Sequence, residues 1–353
     1  MNEIILSTTD IQKYMGVDAT FKPENLMGPA KMKAATEIKD IISPAVYDAA
    51  VAYINRDPDD DPETPTARMI LFDQLVELIQ GPFVNLTMYY QFIWLSVRAS
   101  SNTLSTMQGN DERALNKGER IEAKESLLEY AWSYINELID FLNANVDGIT
   151  DAEAADAIEA VPESEGVEAV EASPAVVPVK IWETSSQYTE TKDLLFDGHR
   201  DFGRYFGIDN CAAFYYRCRT LIQTIIEENV ETRLDVATLH PTDDPAYTPD
   251  PKLIRALKMA IAYETVGRAC SQLPVSSLPG SVRQTIDKEG YGNPKEEDTV
   301  RMKIAKTILL QAENTWSKVD IRLAEVADDG NGNITITDNV PKFDETKSHA
   351  SML

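Results

Sequence analysis

Apolar residues recur at intervals of three and four along most of the chain, the spacing that places them on one face of an α-helix. In the first half, this pattern predicts helices over Thr8–Tyr14, Glu24–Ile54, Thr66–Gln80, Asn85–Ser100 and Glu119–Asn143. Pro44 is expected to bend or break the second of these, because a proline inside a helix removes a backbone hydrogen bond. For the same reason, Gly81-Pro82 is expected to separate the third helix from the fourth.

The second half shows the same kind of pattern and the same order of elements. It predicts a helical or mixed region over Tyr188–Arg204, followed by helices over Asn210–Val236, Pro251–Gln272 and Lys295–Ala327. The last of these is expected to be the longest helix of the chain. Val179–Trp182, just before this half, is predicted to be a short strand or an anchor that re-enters the fold.

Short sequence matches recur in the same order in the two halves, offset by about 170 to 191 residues. The matches pair Tyr14–Asp18 with Tyr205–Asp209, Ile38, Ile41 and Ile42 with Ile222, Ile225 and Ile226, Asp60–Pro65 with Asp243–Pro249, Arg98–Ser101 with Arg268–Ser271, Leu115–Lys117 with Ile286–Lys288, and Trp132-Ser133 with Trp316-Ser317. One such match would be chance, but six in register indicate two diverged copies of one folding unit. Trp132 and Trp316 are expected to anchor the core of each copy.

The predicted fold is therefore all-α, with two tandem and structurally similar helical bundles. Minor β-hairpin or extended segments are expected after each long helix and at the C-terminus, where Asp147–Asp151 and Asn331–Thr337 carry turn and strand signals. The predicted boundaries are 1–150 for the first unit, 151–184 for a linker or insertion, 185–330 for the second unit and 331–353 for an extended tail.

The predicted linker differs in composition from the helical regions. Residues 151–178 consist largely of Ala, Glu, Val and Pro, with eight acidic residues and no basic one. Low hydrophobic bulk and charge of one sign favour a flexible or extended segment. A solvated insertion without a function is an equally good interpretation.

The net charge of the chain limits the classes of molecule that it can bind. The chain has 353 residues, a formal net charge of −25 and a pI of about 4.5. Such a surface repels nucleic acid and anionic lipid. No run of about 18 apolar residues predicts a membrane span, and Met1–Leu6 lacks the pattern of a signal peptide.

Reactive chemistry is not indicated by any motif. The three histidines, His199, His240 and His349, are far apart, and the three cysteines, Cys211, Cys218 and Cys270, are expected to be reduced and buried. Asp57–Asp61 and Asp328–Asn333 resemble parts of a calcium loop, but the second lacks the required glycine and glutamate. A solvated loop and a hairpin turn are the favoured interpretations, and we predict no catalytic residue, metal site or cofactor.

An aromatic cluster stands out in and just before the fourth predicted helix: Phe83, Tyr89, Tyr90, Phe92 and Trp94. Because no Lys or Arg is interleaved with these rings, base stacking with nucleic acid is disfavoured. Packing in a bundle core or at a subunit interface is favoured. Together with the tail residues Ile334, Ile336 and Phe343, these five are the candidate interface residues.

Several short segments resemble the small all-helical head–tail connector proteins of tailed phages. Those proteins begin with a sequence pattern similar to Thr9–Met15, which ends in a turn like Lys13–Val17. A helix comes next, with Ala and Ile residues spaced like Ala34, Ala35, Ile38, Ile41 and Ile42. The second half carries Arg255-Ala256, Ala260–Tyr263 and the Leu-Pro-x-x-Val-Arg segment Leu278–Arg283. The chain departs from the family in being a tandem pair, in the additional long helix that ends each half, and in the acidic segment.

The resemblance implies a structural virion protein rather than an enzyme, assembled in the host cytoplasm. Such a protein would form a ring, commonly twelve-fold, that joins the capsid to the tail and lines the DNA channel. Its partners would be copies of itself, the portal protein and tail or neck proteins, and DNA would pass through without specific binding. The C-terminal segment from Ile334 to Leu353 would be a candidate extension toward a neighbouring ring.

Three alternatives remain open at this point. The chain is alternatively another non-catalytic phage protein, such as a tail-completion or portal-associated factor or packaged cargo. It is alternatively a helical module that binds a peptide or small ligand in a groove between Phe83 and Trp94. A hydrolase that uses only carboxylates is the fourth hypothesis, for which no pair of acids can be singled out among 58.

Overall fold

The computed structural model describes residues 4–5, 7–15, 22–56, 67–95, 97–99, 104–106, 117–144, 178–192, 194–234, 250–290 and 294–328. Over these ranges the protein is almost entirely helical, which confirms the predicted all-α class. The chain divides into two compact units, Met1–Glu190 and Thr191–Leu353. The first unit includes residues 178–190, because the helix that begins at residue 178 packs on it.

The first unit contains seven α-helices, one short 3₁₀ helix (Pro23–Asn25) and one short hairpin within the described ranges. The α-helices and strands are α1 (Thr8–Gln12), α2 (Gly28–Ile42), α3 (Pro44–Ile54), α4 (Ala67–Leu95), β1 (Val97–Ala99), β2 (Leu104–Thr106), α5 (Lys117–Ala144), α6 (Pro178–Glu183) and α7 (Ser186–Lys192), which reaches the unit boundary. Ser7 caps α1 in a capping box with Asp10. Pro44 ends one helix and begins the next, as predicted, with Ser43 at a positive φ of 83° between them.

The central helix of the first unit is α4, which is buried on every side from Ile79 to Met88. Two of its polar side chains in this stretch, Gln80 and Asn85, form hydrogen bonds within the protein. Gln80 Nε2 donates to the carbonyl of Ile4 at 3.0 Å, and Asn85 Nδ2 donates to the carbonyl of Gly81 at 2.9 Å. Near the end of α4, Gln91 Oε1 accepts the backbone N–H of Met27 at 2.8 Å. These bonds fix the N-terminal segment and the start of α2 onto α4.

The predicted break at Gly81-Pro82 is wrong, because α4 continues through both residues. A proline inside a helix costs about 3 kcal/mol. Here the neighbouring side chains, among them Phe83, Val84 and Leu86, are buried and offset that cost. Gly81 has a packing role, since a Cβ atom at this position would lie 2.8 Å from Cγ of Tyr134 on α5. The helix ends at Leu95 rather than at Ser100, and Val97 pairs with Thr106 in the hairpin instead.

Val179–Trp182, predicted as a short strand or an anchor, is part of the helix α6, so the strand is wrong and the anchor is correct. Trp182 is fully buried, and its Nε1 donates to Asn143 Oδ1, near the end of α5, at 3.0 Å. The helix packs on α3, α4 and α5. The chain on both sides of residues 145–177 therefore belongs to the first unit. The predicted turn at Asp147–Asp151 lies outside the described residues.

The second unit is built on two long helices. Its described elements are α8 (His199–Gly203), α9 (Ala212–Arg217), α10 (Arg219–Ile225), a π-helical turn (Ile226–Val230), α11 (Pro251–Gln272), α12 (Gly280–Gly290) and α13 (Pro294–Asp328). The bounds of α11 are those predicted, and α13 is the longest described helix at 35 residues, also as predicted. Asp250 caps α11 and binds Arg322 Nε of α13 at 2.6 Å, while Arg301 near the start of α13 reaches the carbonyl of Leu273. The two helices are therefore antiparallel.

The predicted continuous helix over Asn210–Val236 is wrong, since it is divided at Cys218 and then widens into the π-helical turn. In that turn the N–H of Glu231 bonds to the carbonyl of Ile226, five residues earlier. The extra residue keeps Val230 and Leu234 buried and directs Asn229 toward α11. No glycine or proline marks this change in the sequence, so the helical periodicity alone does not predict it.

Within the described ranges, no helix is both long and apolar enough to span a lipid bilayer. The predicted tail, including its turn and Ile334–Thr337, lies outside the described residues.

Both long helix pairs pack closely at a glycine, and alanine there is expected to be destabilising. At Gly267 of α11, a Cβ atom would lie 2.7 Å from Cδ2 of Leu309 on α13 and 3.3 Å from its backbone nitrogen. We expect overpacking to lower the free energy of unfolding of G81A and of G267A by about 1–3 kcal/mol. The higher helix propensity of alanine offsets about 1 kcal/mol of that loss. Calorimetry would show a lower Tm for both.

Gly28 provides the control, since a Cβ atom there would meet nothing within 4 Å. We expect G28A to match or slightly exceed the wild-type Tm. Wild-type stability in both G81A and G267A would show that the helices separate freely at these points.

Candidate functional site

The aromatic cluster of α4 is divided by the structure between the core and the surface. Phe83 is buried, whereas Tyr89, Tyr90 and Phe92 are half-buried. Trp94 lies in α4, but its side chain is outside the described set, as are Ile334, Ile336 and Phe343. The rings of Tyr89 and Tyr90 meet edge to face with centroids 5.2 Å apart. Phe83 therefore packs in the bundle, and the tyrosines are the part that a partner could contact.

Two lysines from other helices lie over these tyrosines and define a tyrosine–lysine patch (Tyr89, Tyr90, Lys33 and Lys124). Lys33 Nζ of α2 is 4.2 Å from the centroid of Tyr90, and Lys124 Nζ of α5 is 4.7 Å from that of Tyr89. The hydroxyl of Tyr90 donates to the carboxylate of Glu37. Cation–π contacts of this kind contribute about 0.5–1 kcal/mol each at exposed sites.

The patch suits contact with protein better than contact with nucleic acid. A face of each tyrosine ring is occupied by the protein's own lysine, so that face is not open to a base. The chain as a whole has a formal net charge of −25, which repels phosphate. These lysines could not be predicted from the sequence, because they reach the rings from helices distant along the chain. The interface role of the aromatic residues stays a prediction.

A second cluster, in the second unit, surrounds the buried carboxylate of Glu264 on α11. One oxygen accepts Arg268 Nη2 at 2.5 Å and Nε at 3.0 Å, and the other accepts Trp316 Nε1 of α13 at 2.6 Å. Asn229 Nδ2, from the π-helical turn, reaches both oxygens at 3.0 and 3.3 Å. This Glu264 cluster joins three helices through one charged group.

The cluster is extended outward by two further ion pairs. Arg268 also binds Glu228 at 2.7 Å, and Arg233 pairs with Asp320 at 2.8 Å while its guanidinium lies 5.0 Å from the Trp316 ring centroid. Burial alone would lower the pKa of Arg268, but its hydrogen bonds to Glu228 and Glu264 raise it above the usual value. The charge on Arg268 is therefore permanent and neutralises that of Glu264.

Glu264 has no capacity left for proton transfer. A carboxylate offers about four acceptor sites, and those of Glu264 receive five donor contacts from three side chains. A general base must accept a proton from a substrate and needs an open site for it. The geometry therefore assigns Glu264 to holding the π-helical turn, α11 and α13 together. The sequence did not single out this residue, because it stands among 58 acidic ones.

A second buried ion pair ties α8 to α11. Lys258 Nζ is 2.7 Å from Asp201 Oδ2, with both side chains nearly buried, and it lies 5.8 Å from the ring centroid of Phe196. Arg204 approaches the other oxygen of Asp201 at 3.6 Å. His199, one of the three histidines considered from the sequence, is buried in the same helix, whereas His240 and His349 lie outside the described residues. The pair is satisfied within the fold.

The Leu278–Arg283 segment, which carried part of the family resemblance, forms the start of α12 and the two residues before it. Arg283 is buried, and its Nη1 donates to the carbonyl of Leu278 at 2.9 Å. The backbone N–H of Ser281 donates to Asp209 Oδ2 at 2.9 Å, which fixes the start of α12. Asp209 and Asn210 both adopt a φ of 53° to make this approach. The segment therefore connects α12 to the Tyr205–Asp209 turn.

The cysteines are buried and form no disulfide, as predicted. Burial raises the pKa of Cys211 and Cys218, and it raises that of Cys270 to about 11. Since the thiolate is the reactive form, these thiols are inert at neutral pH. Among the described residues, no three His, Cys, Asp or Glu side chains converge to hold a metal ion. Of the two calcium-like segments, Asp57–Asp61 and 329–333 lie outside those residues.

Comparison with known proteins gives one similarity. Residues 38–153 match the model of a family of unknown function, DUF6712. The match runs from the end of α2 through α5 and into the segment that follows. No curated protein and no solved structure is significantly similar to the chain.

Removing the carboxylate of Glu264 is expected to destabilise the second unit strongly. E264A leaves Arg268 as a partly buried charge, and Asn229 and Trp316 as buried donors without an acceptor. We expect a loss of about 3–5 kcal/mol, measured by chemical denaturation. The double variant E264A/R268A should lose less than the sum of the single variants by about 1–3 kcal/mol, because the two side chains are coupled.

Glu313 is the matched control, since it is an exposed glutamate on α13. E313A should remain within about 0.5 kcal/mol of wild type. An E264A protein as stable as E313A would contradict the assignment.

Proposed function

We propose that the chain is a non-catalytic structural protein of a tailed-phage virion, a head–tail connector subunit that assembles with copies of itself into a ring. The ring would sit at the portal vertex, join the capsid to the tail and line the channel for DNA. Its partners would be the portal protein and tail or neck proteins. The proposal starts from the resemblance of Thr9–Val17 and Leu278–Arg283 to that family.

The observation that carries the proposal is the distribution of exposed apolar side chains. Five of the eight large apolar residues that are exposed within the described ranges lie on the last long helix of a unit, α5 or α13. They are Ile121, Tyr130, Met302, Leu310 and Ile321. Tyr130 is 61% exposed and Leu310 is 59% exposed. Outer helices with apolar side chains are suited to side-by-side packing of subunits, where neighbouring copies cover them.

The acidic surface supports the same function. A channel that carries DNA must not retain it, and a subunit with a net charge of −25 repels the phosphates that pass by. The polar clusters are consistent with a structural role as well, because Glu264, Asp201 and Arg283 are each satisfied by partners within the fold. The surface that would mediate the proposed assembly is then the outer surface of the helices.

We further propose that the two units are diverged copies of one ancestral unit. In each, a short helix precedes the matched turn: α1 precedes the turn that begins at Tyr14, and α8 precedes Tyr205–Asp209. The matched isoleucines of α2 and of the α10 region are buried, and so are Trp132 and Trp316. Each unit also contains a long antiparallel helix pair that is tightest at a glycine.

Imaging of the purified protein tests the proposal. We expect a large symmetric ring by electron microscopy and mass photometry, either alone or after addition of portal particles, and the protein should be present in virions. A stable monomer that neither binds portal particles nor occurs in virions would contradict the function.

Charged substitutions on the outer helices should prevent assembly without unfolding the chain. We expect Y130E and L310E to abolish the ring, because each places a charge where a neighbour would bury it. The Tm should stay within about 2 °C of wild type, since both positions are exposed in the monomer.

Exposed polar neighbours on the same helices provide charge-matched controls. Ser133 and Gln311 are exposed on α5 and α13, so S133E and Q311E add the same charge nearby. We expect both controls to form rings. Equal assembly by all four variants would show that these surfaces are not subunit contacts.

A further inference from the structure

The last long helices of the two units differ in charge. Residues 299–312 of α13 contain three basic residues and no acidic one, in a chain whose formal net charge is −25. Residues 125–144 of α5 contain four acidic residues and no basic one. Each stretch also contains the most exposed large apolar side chain described for its helix, Leu310 in α13 and Tyr130 in α5. The two stretches are therefore opposite in charge, and both present an exposed apolar side chain.

On α13, two lysines lie on the same side of the helix as the exposed leucine. Lys303 precedes Leu310 by seven residues and Lys306 precedes it by four, and both spacings place side chains on one helix face. Both lysines are exposed, and neither forms an ion pair with another residue that the structure describes. Lys303, Lys306 and Leu310 thus form the α13 face, a basic surface with an apolar centre.

On α5, the exposed tyrosine has acidic neighbours. Glu137 follows Tyr130 by seven residues and shares its face, while Glu129 directly precedes it and lies at the edge of that face. Both glutamates are exposed, and within the described ranges neither forms an ion pair. Glu129, Tyr130 and Glu137 thus form the α5 face, an acidic surface with an apolar centre.

A ring of identical subunits needs two different faces on each copy. Contact between two identical faces is closed by a two-fold axis and stops at a dimer, whereas a ring repeats one contact between unlike faces. Identical faces also bring like charges into the same contact, which is unfavourable. The α13 face and the α5 face are unlike and complementary, so they meet the requirement for a ring.

We propose that the α13 face of one copy packs against the α5 face of the next copy around the ring. The inference rests on the proposed function, because it names the two surfaces that meet when the ring forms. The occupant of each face is a second copy of this chain. The apolar side chains at the two centres supply most of the affinity, since exposed ion pairs add little. The charges select which faces meet, because a wrong pairing sets like charges against each other.

Equal spacings define a register for this contact. Each charged residue, Lys303 or Glu137, lies seven residues from its apolar neighbour, about 10 Å along the helix axis. With the helices antiparallel and Leu310 on Tyr130, the lysine therefore lies opposite the glutamate. Parallel helices would instead place these two charges about 20 Å apart.

Charge reversal on one face and its rescue on the other test the inference. Under conditions in which wild type forms rings, we expect E137K and K303E each to lower the assembled fraction in mass photometry at least about tenfold. The Tm should stay within about 2 °C of wild type, since both side chains are exposed. The double variant E137K/K303E restores opposite charges and should assemble as wild type does. Such a rescue would not occur if each residue acted only within its own helix.

Exposed residues away from both faces provide controls with the same change of charge. Glu24 lies in the 3₁₀ helix of the first unit, and Lys252 lies at the start of α11. Both are exposed. We expect E24K and K252E to form rings as wild type does.

The outcomes separate this inference from the proposed function. Rings formed by E137K and K303E as readily as by wild type would overturn the contact and leave the ring standing. A double variant that assembles no better than the single ones would also overturn it. So would a K303E chain that forms rings but no longer binds portal particles, because its α13 face would then contact the portal. A wild-type chain that stays monomeric even with portal particles would remove the proposed function and, with it, this contact.

Discussion

Burial of one helix on all sides is the constraint from which each unit is built. Ile79–Met88 of α4 and most of Ala260–Cys270 of α11 have no exposed face. A polar group in such a helix needs a partner inside the protein to avoid a cost of about 1–3 kcal/mol, and only the hydroxyls of Thr87 and Thr265 in these stretches are without one. Gln80 and Gln91 in one unit and Glu264 in the other meet this requirement by fastening neighbouring segments. The buried polar groups therefore determine where the surrounding elements attach.

The long outer helices follow from the same constraint. A helix buried on every side needs a neighbour along its whole length, and α5 and α13 supply it as antiparallel partners of 28 and 35 residues. Only one face of each outer helix is needed for that contact. The opposite face remains at the surface, and it carries the apolar side chains on which the proposed ring depends. Core and assembly surface are thus two faces of the same element.

Capping residues and prolines were sufficient to predict the bounds of the helices that carry them at their ends. The bounds of α11 were predictable because Asp250 is a capping residue and Pro251 suits the first turn. Gly81-Pro82 looked like a break of the same kind, but packing around α4 outweighs the local preference. The π-helical turn at Ile226 has no local signal, since it is determined by contacts with helices far along the chain.

The candidate sites were predictable only in part, for a related reason. The aromatic residues of α4 were visible as a group, whereas Lys33 and Lys124 meet them only in three dimensions. The segment Leu278–Arg283 was noticed, but its contact with Asp209 was not. Glu264 could not be distinguished from other acids, because burial is what gives it its role.

The position of Trp182 has a consequence for how related sequences should be delimited. The similarity to DUF6712 ends at residue 153, well before this side chain, although the first unit extends to Glu190. A homology search trimmed at that limit omits the residue that fills a gap among three helices of the matched region. A chain cut at residue 153 would therefore expose the surface of α3, α4 and α5 that Trp182 covers.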